Sequence, residues 1–386
     1  MNKLVALVVI LAFALFYVIL QLPVPGLWKF ALCAVEMLVT GQLLISRFGF
    51  DGEWGLILLR SQKGLDFIDD LAKSAGFWKF YADTGTTLSY GLLSIPLMRG
   101  NVSPKSVICG MVLLLVISFF VAPSVLPFFT EVLKLSVMQK AQQQMGASSA
   151  ASVISTIGTI ALVLGGFFLL LLVGLLYYGL VVLSAFFSTV VSGSNAMAST
   201  SPGATLLLPG VNLPFFEGII ALVIIMVVHE YSHAILSRLA RIPLLSSGIV
   251  LFGVIPIGAF VEPDEGKLEK AEKVVQTRVL VAGSTSNLMA SLFFFVLFVL
   301  YATILRNLGV VLSLSSPSIA LSILLVLGLA FALNFVIGSV NLLPLPFFDG
   351  YRIIDVNMEN KTFVKALMIL TLVAFLMNLL PWLFVK

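Results

Sequence analysis

Long unbroken apolar stretches, separated by short polar loops, run through this chain, and many are of bilayer length. Spans are expected at roughly 4–20, 28–46, 106–128, 152–190, 217–238, 277–305, 317–340 and 363–384, because about 20 apolar helical residues cross the hydrocarbon core. The stretch 152–190 is too long for one perpendicular helix. It is either tilted and protruding or a tight hairpin. Two further pieces, 81–98 and 246–262, are apolar but short or interrupted by Gly and Pro. The second, "SSGIVLFGVIPIGAFVE", suits short strands better than a helix, given its β-branched and Gly/Pro content. The pattern predicts an all-α polytopic membrane protein with eight or nine transmembrane helices and a re-entrant or interfacial β segment near 246–262.

Composition agrees. Hydrophobic residues make up 60% and charged residues 10%, with a mean hydropathy of +1.13, too little polar surface for a soluble domain. The net charge of +4 is therefore read loop by loop, as an orientation signal. No basic patch interleaved with aromatics occurs, so nucleic acid is not an expected partner; the lipid bilayer is. Cys33 and Cys109 lie in or beside apolar runs and read as small core hydrophobes rather than a disulfide. The first stretch has no small-x-small cleavage site after it and reads as a retained span.

Loop charge sets sidedness. Residues 47–105 carry Arg47, Arg60, Lys63, Lys73, Lys79, Arg99 and Lys105 and should be mostly cytoplasmic. Residues 191–216 carry no Lys or Arg and should lie outside. The span 217–238 then runs inward and ends at Arg238 and Arg241, and the charged stretch 263–278 is also inside. Residues 242–262 therefore cannot cross once; they dip in and return, or lie along the interface. Non-helical backbone is tolerated at membrane depth only where protein or a water-filled cavity covers it. One more excursion, out by 277–305 and back by 317–340, brings "NLLPLPFFDGYR", 341–352, to the cytoplasmic face.

The chemistry is concentrated in "IIMVVHEYSHAIL", 224–236, which holds both histidines of the chain, His229 and His233. At helical spacing i and i+4 they share a face, where two imidazoles can grip one Zn²⁺ with Glu230 placed as general base. The bland alternative is that they are packing residues. Ionisable groups inside a span are expensive and usually functional, which favours metal. Nine residues separate His229 from Arg238, about 13 Å of helix, so the site lies below the cytoplasmic surface but short of the midplane. Catalytic zinc typically takes three protein ligands and water. No histidine remains, so the third ligand is a carboxylate: Glu262, Asp264 and Glu265 form one candidate cluster and Asp349 is the other. Asp349 is the better candidate, because the prolines of "NLLPLPFFDG" break the helix before it and its motif reaches the same face as HEYSH.

HEYSH followed by Asn341, Pro344, Asp349 and Gly350 resembles the site-2 protease family of intramembrane zinc metalloproteases, whose second motif reads N-x-x-P-x-x-x-x-D-G. "AGSTSN", with Gly283 and Asn287, is similar to the family's central G-x-x-x-N motif, and "GAFVEPDE", 258–265, resembles the segment after the metal helix in archaeal members. The likeness covers about 205–386. It implies a three-helix core with His229, His233 and Asp349 as zinc ligands and Glu230 as catalytic base. The expected organisation is an N-terminal transmembrane region (1–190) with a basic cytoplasmic loop at 47–105, followed by an intramembrane zinc metalloprotease core (191–386). Against the family, the sequence is expected to lack a PDZ domain between the metal motifs and a regulatory domain after the last span, and to carry extra spans within 99–190.

The expected function is zinc-dependent cleavage of the transmembrane segments of membrane proteins. Asn341 heads the loop carrying Asp349 and is a candidate oxyanion donor, a capping role being the alternative. The segment 246–262 offers an edge for an unwound substrate or merely plugs the cavity; Gly258→Pro would remove a backbone donor there. Two rival functions use the same ligands: a membrane zinc transporter, which would need a pathway between both faces, and a non-catalytic adaptor with a structural zinc. Neither requires a glutamate beside the first histidine.

Overall fold

A computed structural model describes residues 3–24, 26–61, 63–133, 151–204, 209–210, 212–310, 318–346 and 348–384. Phe347, the start of the span expected from 317, part of the 191–216 loop and the ends of the 205–386 likeness lie outside the described residues.

Among the described residues, eight helices are long and apolar enough to cross a membrane: Lys3–Gln21, Ala31–Phe48, Pro104–Thr130, Thr156–Ser192, Phe215–Leu239, Lys273–Asn307, Ile319–Val340 and Lys361–Leu383. They fall on the eight expected stretches, because apolar length alone decides such helices. Their outward residues are large and apolar, as on Lys3–Gln21, where Leu7, Ile10 and Leu11 are all exposed.

The stretch expected to be a tilted helix or a hairpin is broken at Gly166, which adopts φ 59°, ψ −154°. A Cβ at Gly158 would lie 3.6 Å from the Leu170 side chain. A straight helix would hold residues twelve apart about 18 Å away. The chain thus bends back sharply, closer to the hairpin alternative.

The piece at 81–98 is resolved into a helix, Ala75–Tyr90, and a short helical turn, Ser94–Leu97. Every residue from Ala82 to Tyr90 is buried. This helix packs against Lys273–Asn307 and is tied to it by Arg278, whose Nε donates to Asp83 Oδ1 at 2.7 Å. The segment near 246–262 is a hairpin of Leu244–Phe252 and Ile255–Pro263. It belongs to a four-stranded antiparallel sheet. In chain order β1 is Gly52–Glu53, β2 is Leu56–Ser61, and the hairpin strands are β3 and β4. The two short strands come from the basic 47–105 loop, where none was expected. β2 pairs along β3 from Leu56↔Phe252 to Ser61↔Ser247; among the described residues β1 and β4 are the edge strands, and β4 packs along the helix Phe215–Leu239.

Candidate metal centre

The helix Phe215–Leu239 carries His229, Glu230 and His233. Glu217 in its first turn and Arg238 in its last complement the helix dipole. One helical turn brings the two Nε2 atoms to 3.1 Å. Asp349 comes from a different part of the chain. The helix Ile319–Val340 ends at Asn341, and a short loop containing Pro344 and Pro346 leads to a second helix that starts at Asp349. The Gly350 N–H donates to the Asn341 carbonyl at 2.9 Å, closing that loop. Asp349 Oδ2 then lies 3.2 Å from His229 Nε2 and 3.3 Å from His233 Nε2, with each of the three side chains only 14% exposed. Among the described residues, these three form one group able to hold a metal ion.

The neighbours of the three donors come from several elements. Asn341 Nδ2 donates to Asp349 Oδ2 at 2.8 Å and lies 3.3 Å from His229 Nε2. The helix Lys273–Asn307 backs both imidazoles: Val279 O is 2.7 Å from His233 Nδ1, and Asn287 Nδ2 is 3.1 Å from His229 Nδ1. Between them is Gly283, where a Cβ would fall 2.5 Å from His233 Nε2 and also strike His229. Ser232, Ser286 and Tyr81 form a hydroxyl chain beside the site, with steps of 2.5 and 2.8 Å. Glu230 Oε2 accepts the Val261 N–H of β4 at 3.1 Å.

The structure thus brings His229, Glu230, His233, Asn341 and Asp349 together. The alternative carboxylates have other partners. Glu262 meets Arg60 and accepts from Ser246 at 2.6 Å. The Ser246 hydroxyl, followed by the Arg60 guanidinium, holds its carboxyl below the usual carboxylate range. Asp264 caps the helix Glu265–Lys270, and Glu265 pairs with Arg352 at 2.6 Å. Sequence reasoning did not find Val279 or Val261, which act through backbone atoms, and gave Gly283 and Asn287 no task.

Buried imidazole nitrogens and a carboxylate oxygen converging on one point, beside a second carboxylate, can bind a divalent cation and move a proton next to it. A family model described as Peptidase family M50 matches residues 217–380. An uncharacterized protein of Methanocaldococcus jannaschii is 39% identical over 77 residues, 20% of this chain and 21% of that protein. The matched part therefore spans about a fifth of that curated relative. No solved structure matches the chain. With its eight candidate membrane helices and its candidate metal site among the described residues, the chain carries over residues 217–380 a domain of Peptidase family M50, the site-2 protease family.

Proposed function

We propose that the chain is an intramembrane zinc metalloendopeptidase that cleaves transmembrane segments of membrane proteins. The observation that carries this reading is the triangle of His229 Nε2, His233 Nε2 and Asp349 Oδ2, with edges of 3.1, 3.2 and 3.3 Å. Ligands about 2.0–2.1 Å from a tetrahedral zinc stand about 3.3–3.4 Å apart, so the donor set fits that ion. His229, His233 and Asp349 would hold it. Zinc bound there would polarise the scissile carbonyl and make water nucleophilic near neutral pH.

The residues of the chain do the rest. Glu230 accepts a proton from the attacking water and returns it to the leaving amine. Asn341 orients Asp349 through one amide hydrogen, and its other is offered to the tetrahedral oxyanion. We assign catalysis to 191–386. The N-terminal region 1–190 supports it through β2 in the sheet and the helix Ala75–Tyr90, buried from Ala82 onward. The loop charges favour an active site near the cytoplasmic face.

A helix hides its peptide bonds, so a transmembrane substrate must unwind before it is cut. The free edge of β4 is the proposed seat for the unwound stretch. Val261 N–H points to Glu230 and hence away from β3. Alternation along the strand gives Ala259 the same outward direction and turns Gly258, the partner of Val250, inward. The position at which to remove a free-edge donor is therefore Ala259, not Gly258.

The test uses purified, zinc-loaded protein in proteoliposomes with a co-reconstituted single-span protein. Cleavage is expected to fall about 10²–10⁴-fold in Glu230→Gln. Zinc flux across the vesicle with no cleavage, unaffected by Glu230→Gln, would instead establish the transporter.

A further inference from the structure

The two imidazoles rest on one stripe of a neighbouring helix. Val279, Gly283 and Asn287 follow one another at intervals of four along Lys273–Asn307, so they share a face. Gly283, in the middle, leaves room for both Nε2 atoms. The outer two residues face the Nδ1 atoms, Val279 that of His233 and Asn287 that of His229.

A carbonyl oxygen only accepts. Val279 O at 2.7 Å therefore sets a proton on His233 Nδ1 and leaves the Nε2 lone pair free for a cation. His229 faces the same requirement. It can offer Nε2 only if Nδ1 carries the proton, and that proton then needs a buried acceptor. Asn287 holds one on the same amide: its Oδ1 is buried and has no hydrogen-bond partner among the described residues. The two ends of an amide are nearly equal in size, so half a turn of the side chain exchanges Nδ2 for Oδ1 beside the ring. With Nδ2 on Nδ1, the imidazole proton sits on Nε2 and points at Asp349 Oδ2, 3.2 Å away, which closes the site to a cation.

We propose that Asn287 is a positioning residue for the metal centre: its Oδ1 accepts the Nδ1–H of His229 and holds the tautomer whose Nε2 binds the ion. This rests on the metal reading above. It also makes the cradle symmetrical, with one acceptor for each histidine and a glycine between.

Two measurements test it, neither using catalysis. The first is zinc affinity of the full chain in detergent, by competition with a chelator, for wild type, Asn287→Ala, Asn287→Leu and Asn287→Asp. Loss of the acceptor in the first two variants should weaken zinc about 10–100-fold. Asn287→Asp, which cannot donate but accepts well, should stay within a few-fold of wild type. A drop for Asp as deep as for Ala overturns the acceptor role, and so does wild-type affinity in Ala and Leu. A wild-type protein that takes up no zinc fails the metal reading itself, a separate result. The second measurement covers the case in which the Asp variant does not fold. The chain has two histidines, so a ¹⁵N-histidine spectrum of the zinc-loaded wild type contains two rings. Both should carry the proton on Nδ1; one ring protonated on Nε2 overturns the proposal.

Discussion

A single methyl group at position 283 shows how closely the histidines are held. The Cβ of Gly283→Ala would stand 2.5 Å from His233 Nε2, closer than van der Waals contact permits, and both rings would have to move. We expect this variant to lose zinc and about 1–3 kcal/mol of stability, read by metal analysis and thermal unfolding in detergent. His229, Glu230 and His233 stood out in the sequence because ionisable residues inside apolar stretches are rare and expensive, whereas Asp349 stood out only through the proline-broken motif before it and its pairing with HEYSH. Gly283 and Asn287 were visible only as a motif likeness. Their tasks depend on one helix lying behind another, which spacing along the chain does not encode. The Val279 carbonyl and Val261 N–H have no side-chain signature at all.

At the scale of elements, β3 and β4 were foreshadowed by charge: charged residues at both ends, Arg241 and Asp264, argued against a single crossing. The short strands β1 and β2 were not, because a loop rich in Lys and Arg gives no period-2 signal strong enough to stand apart from its surroundings. What fixes β2 is pairing with β3, reinforced by Arg60, which reaches Asp51 at 2.8 Å and also contacts Glu262. Because the Glu262 carboxyl is held low, its contribution to the sheet is complete above the ordinary glutamate range and fades as pH falls through the lowered value. Amide exchange in β2 and β3 should quicken on acidification there, and less so in Arg60→Ala, which has already lost the pair. The free edge can be tested separately. Proline is tolerated where the missing N–H faces outward. Ala259→Pro should keep the fold and bound zinc while cutting cleavage of a membrane substrate at least several-fold. Gly258→Pro should loosen the β3–β4 ladder instead. Equal cleavage by Ala259→Pro and wild type would contradict substrate pairing at this edge.

For the molecule as a whole, the eight long helices were readable from apolar length, whereas the bend at Gly166 was one of two options that length leaves open. The helix Ala75–Tyr90 was ambiguous for a physical reason: its buried half, from Ala82 onward, carries Asp83, Thr84, Thr86, Thr87 and Ser89, and that burial is by protein. The Asp83–Arg278 pair, with side chains 5% and 16% exposed, fastens this helix to the one that backs the metal site. Asp83→Ala strands a largely buried guanidinium and should cost about 3–5 kcal/mol, seen as earlier thermal unfolding. An unchanged transition would mean that the N-terminal region is not braced there. The central claim, that these helices converge to build a hydrolytic zinc site, is tested most directly by zinc content of the purified full chain in detergent, compared among wild type, Asp349→Ala and Glu230→Gln. The account predicts about one zinc per chain in wild type, the same in Glu230→Gln, and much less in Asp349→Ala. No zinc in wild type after reloading, or full zinc in Asp349→Ala, would contradict it.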